Sequence, residues 1–98
     1  MGKKARQRPE RLGEKLRAIR DALGLSQTGM VTRLDVEGIA PSQISEYETG
    51  KREPSLITLL EYARLANVYL DTLVDDEADL PAKLPSTKKR EGLKRRAS

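Results

Sequence analysis

The chain has neither cysteine nor histidine among its 98 residues. The first absence excludes a disulfide framework, a thiolate metal site and a cysteine nucleophile. The second removes the commonest general base and the commonest metal ligand. Tryptophan and phenylalanine are also missing, and three tyrosines are the whole aromatic complement. Such a composition supplies one modest core, best suited to a single small helical domain. No apolar run approaches the roughly 20 residues of a membrane span, and the first residues lack the apolar stretch of a secretory signal. The expected protein is soluble and cytoplasmic, makes no membrane contact, uses no cofactor and is not an enzyme.

What is abundant is charge, and its arrangement matters more than its sum of +4. Residues 1–11 carry five basic groups and one acid, and residues 82–98 carry seven and one. The stretch between them carries seven basic groups against thirteen acids. Two basic arms therefore flank an acidic body. The expected organisation is a basic arm over 1–8, a folded domain over 9–76 and a Pro-broken basic tail over 77–98.

Within the body, apolar residues recur at helical spacing. Leu12, Leu16, Ile19 and Leu23 form one stripe after Pro9, with Glu14, Lys15, Arg17 and Asp21 assigned to the other faces and Gly24 as the stop. Ser26 is the expected N-cap of a second helix over 26–35, with Met30, Val31 and Leu34 as its stripe. Pro41 suits the first turn of a third helix over 41–49, where Ile44 and Tyr47 share a face. Ser55 caps a fourth helix carrying Leu56, Leu59, Leu60, Ala63 and Ala66, which Asn67 ends. Leu70, Leu73 and Val74 mark a short fifth helix, and no strand pattern occurs. The fold class predicted is all-α, with five helices.

Helices two and three, joined by a tight turn, form a corner that can present the second helix to a partner. The major groove of B-DNA admits one α-helix, so a helix with polar outward residues fits that task. Periodicity alone favours the plainer alternative, a small helical domain whose polar face meets only water.

The residues between 25 and 74 resemble a known pattern. Leu25-Ser26-Gln27, Ile44-Ser45, Tyr47-Glu48, Gly50-Lys51-Arg52 and Pro54-Ser55-Leu56, followed by Leu59-Leu60 and Ala63, are similar to the Xre/Cro-type helix-turn-helix regulators. That family includes the phage repressors, and the resemblance spans about residues 12–76. It implies a compact, lambda-repressor-like domain that binds double-stranded DNA as a bacterial or phage transcription regulator, most often a repressor. Helix 41–49 corresponds to the recognition helix, with Ser42, Gln43 and Glu46 at base-reading positions. Gln27, Ser45, Lys51 and Arg52 correspond to phosphate contacts, and Arg20 with Glu48 to a structural ion pair between helices one and three. A homodimer on a palindromic site is expected, its contact surface assigned to helix five with Leu70, Leu73 and Val74.

The chain also departs from that pattern. Gly29 replaces the acidic residue that would complete a capping box, and Val31 replaces a small residue. The turn Asp35–Ala40 holds about three extra residues, so Ile39 either plugs the core or the following helix tilts. Tyr69 stands where a capping serine is common, which predicts a fraying fifth helix. The arms, with Lys3, Lys4, Arg6 and Arg8 at one end and Lys88, Lys89, Arg90, Lys94, Arg95 and Arg96 at the other, suit nonspecific phosphate contacts or mere solubility. A different function on the same fold is that of an antitoxin or adaptor holding a protein partner, with Asp75, Asp76, Glu77 and Asp79 as a docking stretch. RNA binding lacks an aromatic platform, and the same acidic stretch matches no metal motif.

Overall fold

Leu12, Leu16 and Ile19 lie on one side of α1 (Leu12–Ala22) in the computed structural model, which describes residues 8–84. Against them pack α2 (Gln27–Leu34), α3 (Pro41–Thr49), α4 (Leu56–Ala66) and α5 (Leu70–Val74). No strand occurs among the described residues. The core adds Met30 and Leu34 from α2, Ile44 and Tyr47 from α3, Leu59, Tyr62, Ala63 and Ala66 from α4, and Leu73 from α5. Each buried apolar side chain contributes about 1.5–3 kcal/mol, so these few positions supply most of the driving force.

Local chemistry sets the helix ends. The Ser26 hydroxyl accepts from the Gly29 N–H at 2.9 Å, and the Ser55 hydroxyl accepts from Thr58 at 3.1 Å. Asp35 and Asn67 close α2 and α4 in the left-handed conformation, which short polar side chains tolerate better than most.

Four expectations need correction. The first helix begins at Leu12 rather than near Pro9, and the N–H groups of Glu10 and Arg11 ahead of it bond to the Asp76 carboxylate. Lys15 is not on a polar face but only 2% exposed. Its position three after Leu12 and one before Leu16 puts it on the core side, and its ammonium donates to Thr72 O at 2.8 Å and Asp75 O at 2.9 Å. A cation there satisfies the last carbonyls of α5, which ties down the helix that Tyr69 leaves without a side-chain cap. Leu56, the first residue of α4, is 67% exposed, whereas Tyr62 takes a core place. Leu73 is fully buried and Leu70 packs against the core, which leaves Val74 as the part of α5's apolar set open to contact.

The orientation of α3 rests on two contacts with α1. Arg20 and Glu48 form a two-pronged pair, Nε to Oε2 at 2.6 Å and Nη2 to Oε1 at 3.0 Å, with side chains 12% and 4% exposed. The third arm of the guanidinium donates to Leu25 O at 3.0 Å. About two turns earlier in α1, its backbone approaches α3 at Gly13. A Cβ on Gly13 would stand 2.7 Å from Glu48 O and 2.9 Å from Tyr47 O.

Two substitutions test this arrangement by urea unfolding. Glu48→Ala strands a buried guanidinium and is expected to cost roughly 3 kcal/mol or more. A loss under about half a kcal/mol would show the pair to be unimportant. Gly13→Ala raises helix propensity by about 1 kcal/mol, yet the clash is expected to outweigh it and to destabilise by about 1–3 kcal/mol. A more stable Gly13→Ala protein would refute the close approach.

Candidate nucleic-acid interface

The chain between α2 and α3 is longer than a minimal corner, and its apolar residues explain how it stays fixed. Val36 and Ile39 are half-buried and pack against the core, so Ile39 acts as a plug. With the turn anchored, α3 starts at Pro41, where the missing N–H costs nothing. Ala40 has no side chain with which to cap the helix. Instead Gln43 reaches back, and its Oε1 accepts from the Ala40 N–H at 3.0 Å.

The far end of α3 closes on Gly50, whose φ of 82° lies where a residue without Cβ is favoured. The N–H groups of Lys51 and Arg52 then bond to Glu46 O at 2.9 and 3.2 Å. Both cations are thereby carried on a loop pinned to the last turn of α3, and both are exposed. The Thr49 hydroxyl donates to Ser45 O at 3.0 Å.

The three positions expected to read bases lie along α3 in different states. Ser42 is exposed. Gln43 is half-buried, and its carbonyl oxygen is already engaged with Ala40. Pairing with adenine through both amide atoms then requires that oxygen to accept a second hydrogen or to release the cap. Glu46 is half-buried and bound by Arg52, Nε to Oε1 at 2.6 Å. The carboxylate pushes the Arg52 pKa further up, chiefly through this hydrogen bond. Glu48 does the same to Arg20.

Of the residues expected at phosphates, Lys51 is exposed with its side chain on the loop after α3, and Arg52 is spent in part on Glu46. Gln27 is the first residue of α2 and half-buried, and Ser45 is half-buried within α3. The structure thus gathers Ser42, Gln43, Ser45, Glu46, Lys51 and Arg52 on one helix and its following loop. Gln27 sits on the helix before it. The Glu46–Arg52 pair has no signature in the sequence, because it joins residues six apart across a helix end, where no helical spacing predicts contact. Arg8 was legible only as part of a basic arm, yet it lies beside this loop, with Nη2 3.5 Å from Gly50 O. Lys3, Lys4, Arg6 and the six cations between 88 and 96 lie outside the described residues. Among the described residues no helix is long and apolar enough to cross a membrane.

Comparison with known proteins places this architecture. Residues 16–73 match the helix-turn-helix family model. The chain is similar to the P22 c2 repressor protein, crystallised in complex with synthetic operator 9T, with a TM-score of 0.58 and 26% identity over 66% of this chain and 94% of that one. It is also similar to the restriction-modification controller protein C.AhdI from Aeromonas hydrophila, with a TM-score of 0.55 and 30% identity over 64% of this chain and 91% of that one. No curated protein sequence matches it. The family match covers more than half of the chain and includes the corner formed by α2 and α3, so the protein belongs to the helix-turn-helix family, of the Xre/Cro type.

Proposed function

We propose that this protein is a sequence-directed regulator of transcription, acting as a repressor, which inserts α3 into the major groove of double-stranded DNA. The observation that carries the reading is the fixed presentation of α3. Arg20 and Gly13 lock its position, while its polar residues and the Lys51–Arg52 loop stay accessible. The similarity to a repressor crystallised with operator DNA supports the same assignment.

In this reading Ser42, Gln43 and Glu46 face base edges, and Gln27, Ser45 and Lys51 face phosphates. Arg52 has two tasks. It meets phosphate, and it cancels the charge of a carboxylate that would otherwise repel the backbone. Glu46, so neutralised, can accept from a cytosine N4 amine. One domain of this size makes few base contacts, so the working form is a homodimer on half-sites about 34 Å apart. Its contact surface draws on the exposed apolar residues Tyr69 and Val74 beside α5 rather than on Leu73.

Selection from a random duplex library is expected to return a palindrome with that spacing. Equal affinity for selected and scrambled duplexes at about 0.15 M salt would end this reading. Lys51→Ala is expected to weaken binding to every sequence alike and to lower the salt slope of log K by about 0.9. Arg52→Ala is expected to weaken binding more than Lys51→Ala, with Glu46→Gln in the same chain restoring much of the loss. If the second substitution restores nothing, Arg52 does not screen Glu46.

A further inference from the structure

Three side chains along α3 spend a hydrogen-bonding group inside the protein, and what is left to offer differs from one to the next. The helical step of about 100° per residue puts Ile44, Tyr47 and Glu48 on the side facing the domain, where all three side chains are buried. Ser42, Ser45, Glu46 and Thr49 share the opposite side, with Gln43 at its margin. Ser42 and Thr49 are seven positions apart, close to two full turns, and both are exposed. Thr49, to which the sequence pattern assigns no role, therefore stands on the face that α3 offers.

Gln43 is the first case. Its Oε1 accepts from the Ala40 N–H at 3.0 Å, and only the oxygen of an amide can meet a donor. The amide nitrogen is left with two hydrogens to donate. A glutamine with both ends available pairs with adenine, donating and accepting at once. One whose oxygen is engaged acts as a donor alone, and guanine is the base that sets two acceptors, O6 and N7, side by side.

Thr49 is the reverse case. Its single hydroxyl hydrogen goes to Ser45 O at 3.0 Å, with Glu46 O at 3.4 Å sharing it. The oxygen keeps only its capacity to accept. The Glu46 carboxylate likewise only accepts, and Arg52 takes one of its oxygens at 2.6 Å. An acceptor selects a base with an exocyclic amine, which is adenine or cytosine. Glu46 and Thr49 lie three residues apart, a rise of about 4.5 Å, near the step of about 3.4 Å between bases on one strand.

We propose that these internal bonds preset the polarity with which α3 reads DNA. Gln43 is a donor that selects guanine, and Thr49 is a further base-reading residue, an acceptor that selects adenine or cytosine. The proposal rests on the DNA-binding reading and deepens it by naming the base edges.

The test passes the full chain and its variants Gln43→Ala, Gln43→Glu, Thr49→Val and Thr49→Ser through selection from a random duplex library, with folding checked by circular dichroism. The position whose preference Gln43→Ala abolishes is expected to be guanine in the unmodified chain, favoured over adenine roughly fivefold or more. Gln43→Glu keeps an oxygen for the Ala40 N–H but presents only acceptors, so that position is expected to change from guanine to cytosine on the same strand. This variant carries the test if Gln43→Ala fails to fold. Thr49→Val keeps the shape and loses the acceptor, and it is expected to erase a preference for adenine or cytosine that Thr49→Ser retains. Adenine at the Gln43 position overturns the proposal. So does a failure of Gln43→Glu or Thr49→Val to change any preference. A thymine preference that survives Thr49→Val and is lost in Thr49→Ser, marking contact through the methyl group, overturns it as well. In all of these outcomes a sequence is still enriched and the DNA-binding reading stands. A library from which the unmodified chain enriches nothing ends that reading, and this proposal with it.

Discussion

The buried pair between Arg20 and Glu48 is the constraint on which the rest of this structure depends. Two charges inside a small domain add little net stability, because each loses its hydration on burial. What they add is geometry. A planar guanidinium meeting a carboxylate through two parallel bonds admits few relative orientations, and the third bond to Leu25 O extends the constraint to the start of the α2 segment. The end of α1, the entry to α2 and the last turn of α3 are thus fixed through one side chain. Apolar packing of Ile44 and Tyr47 attaches α3 to the domain but does not by itself dictate its angle, since such contacts are non-directional.

Gly13 works with that pair from the same face of α1 and against the same last turn of α3. Its missing side chain lets the backbone of α1 lie against the carbonyls of Tyr47 and Glu48. A helix held at that distance cannot rock without either breaking the ion pair or opening a gap in the core. At its other end, α3 is steadied by the Ile39 plug and by Gln43 reaching back to Ala40. The longer turn therefore costs little in rigidity, because its extra length brings its own apolar anchor.

Much of this was legible in the sequence wherever a single rule applied. The stripes of α1 to α4, the caps at Ser26 and Ser55 and the left-handed stop at Asn67 follow from spacing and local chemistry. One failure came about because partners far along the chain decided the outcome. Lys15 reads as a surface cation until Thr72 and Asp75, 57 and 60 residues away, supply the carbonyls that make its burial tolerable. Position on the stripe was the one available signal, since residue 15 lies between Leu12 and Leu16. Leu56 matches the α4 stripe by spacing, yet it is the first residue of its helix and stays exposed, while Tyr62 brings a larger apolar surface to the core. In the candidate site, the positions of Ser42, Gln43 and Glu46 came from a family resemblance. The bonds that partly commit Gln43 and Glu46 came only from the structure.

Those commitments bear on how such a protein divides its work. Helix α3 carries no cation, and its two carboxylates are each held by an arginine from outside the helix. One is buried and orients the rod, while the other stays at the surface with its charge cancelled. Helix α3 therefore offers shape and hydrogen-bonding groups and almost no net field. On the proposed DNA-binding reading, attraction at long range is left to cations outside α3, such as the exposed Lys51, which are indifferent to sequence. A complex at a wrong site then gains only that general attraction, while phosphates drawn near the acidic body oppose it. At a matching site, the short-range bonds of α3 add to the same attraction without having to overcome a charge of their own. Separating the two in this way lets the preference between sites be set by a few polar side chains, while the strength of binding at any site varies with salt through residues elsewhere in the chain.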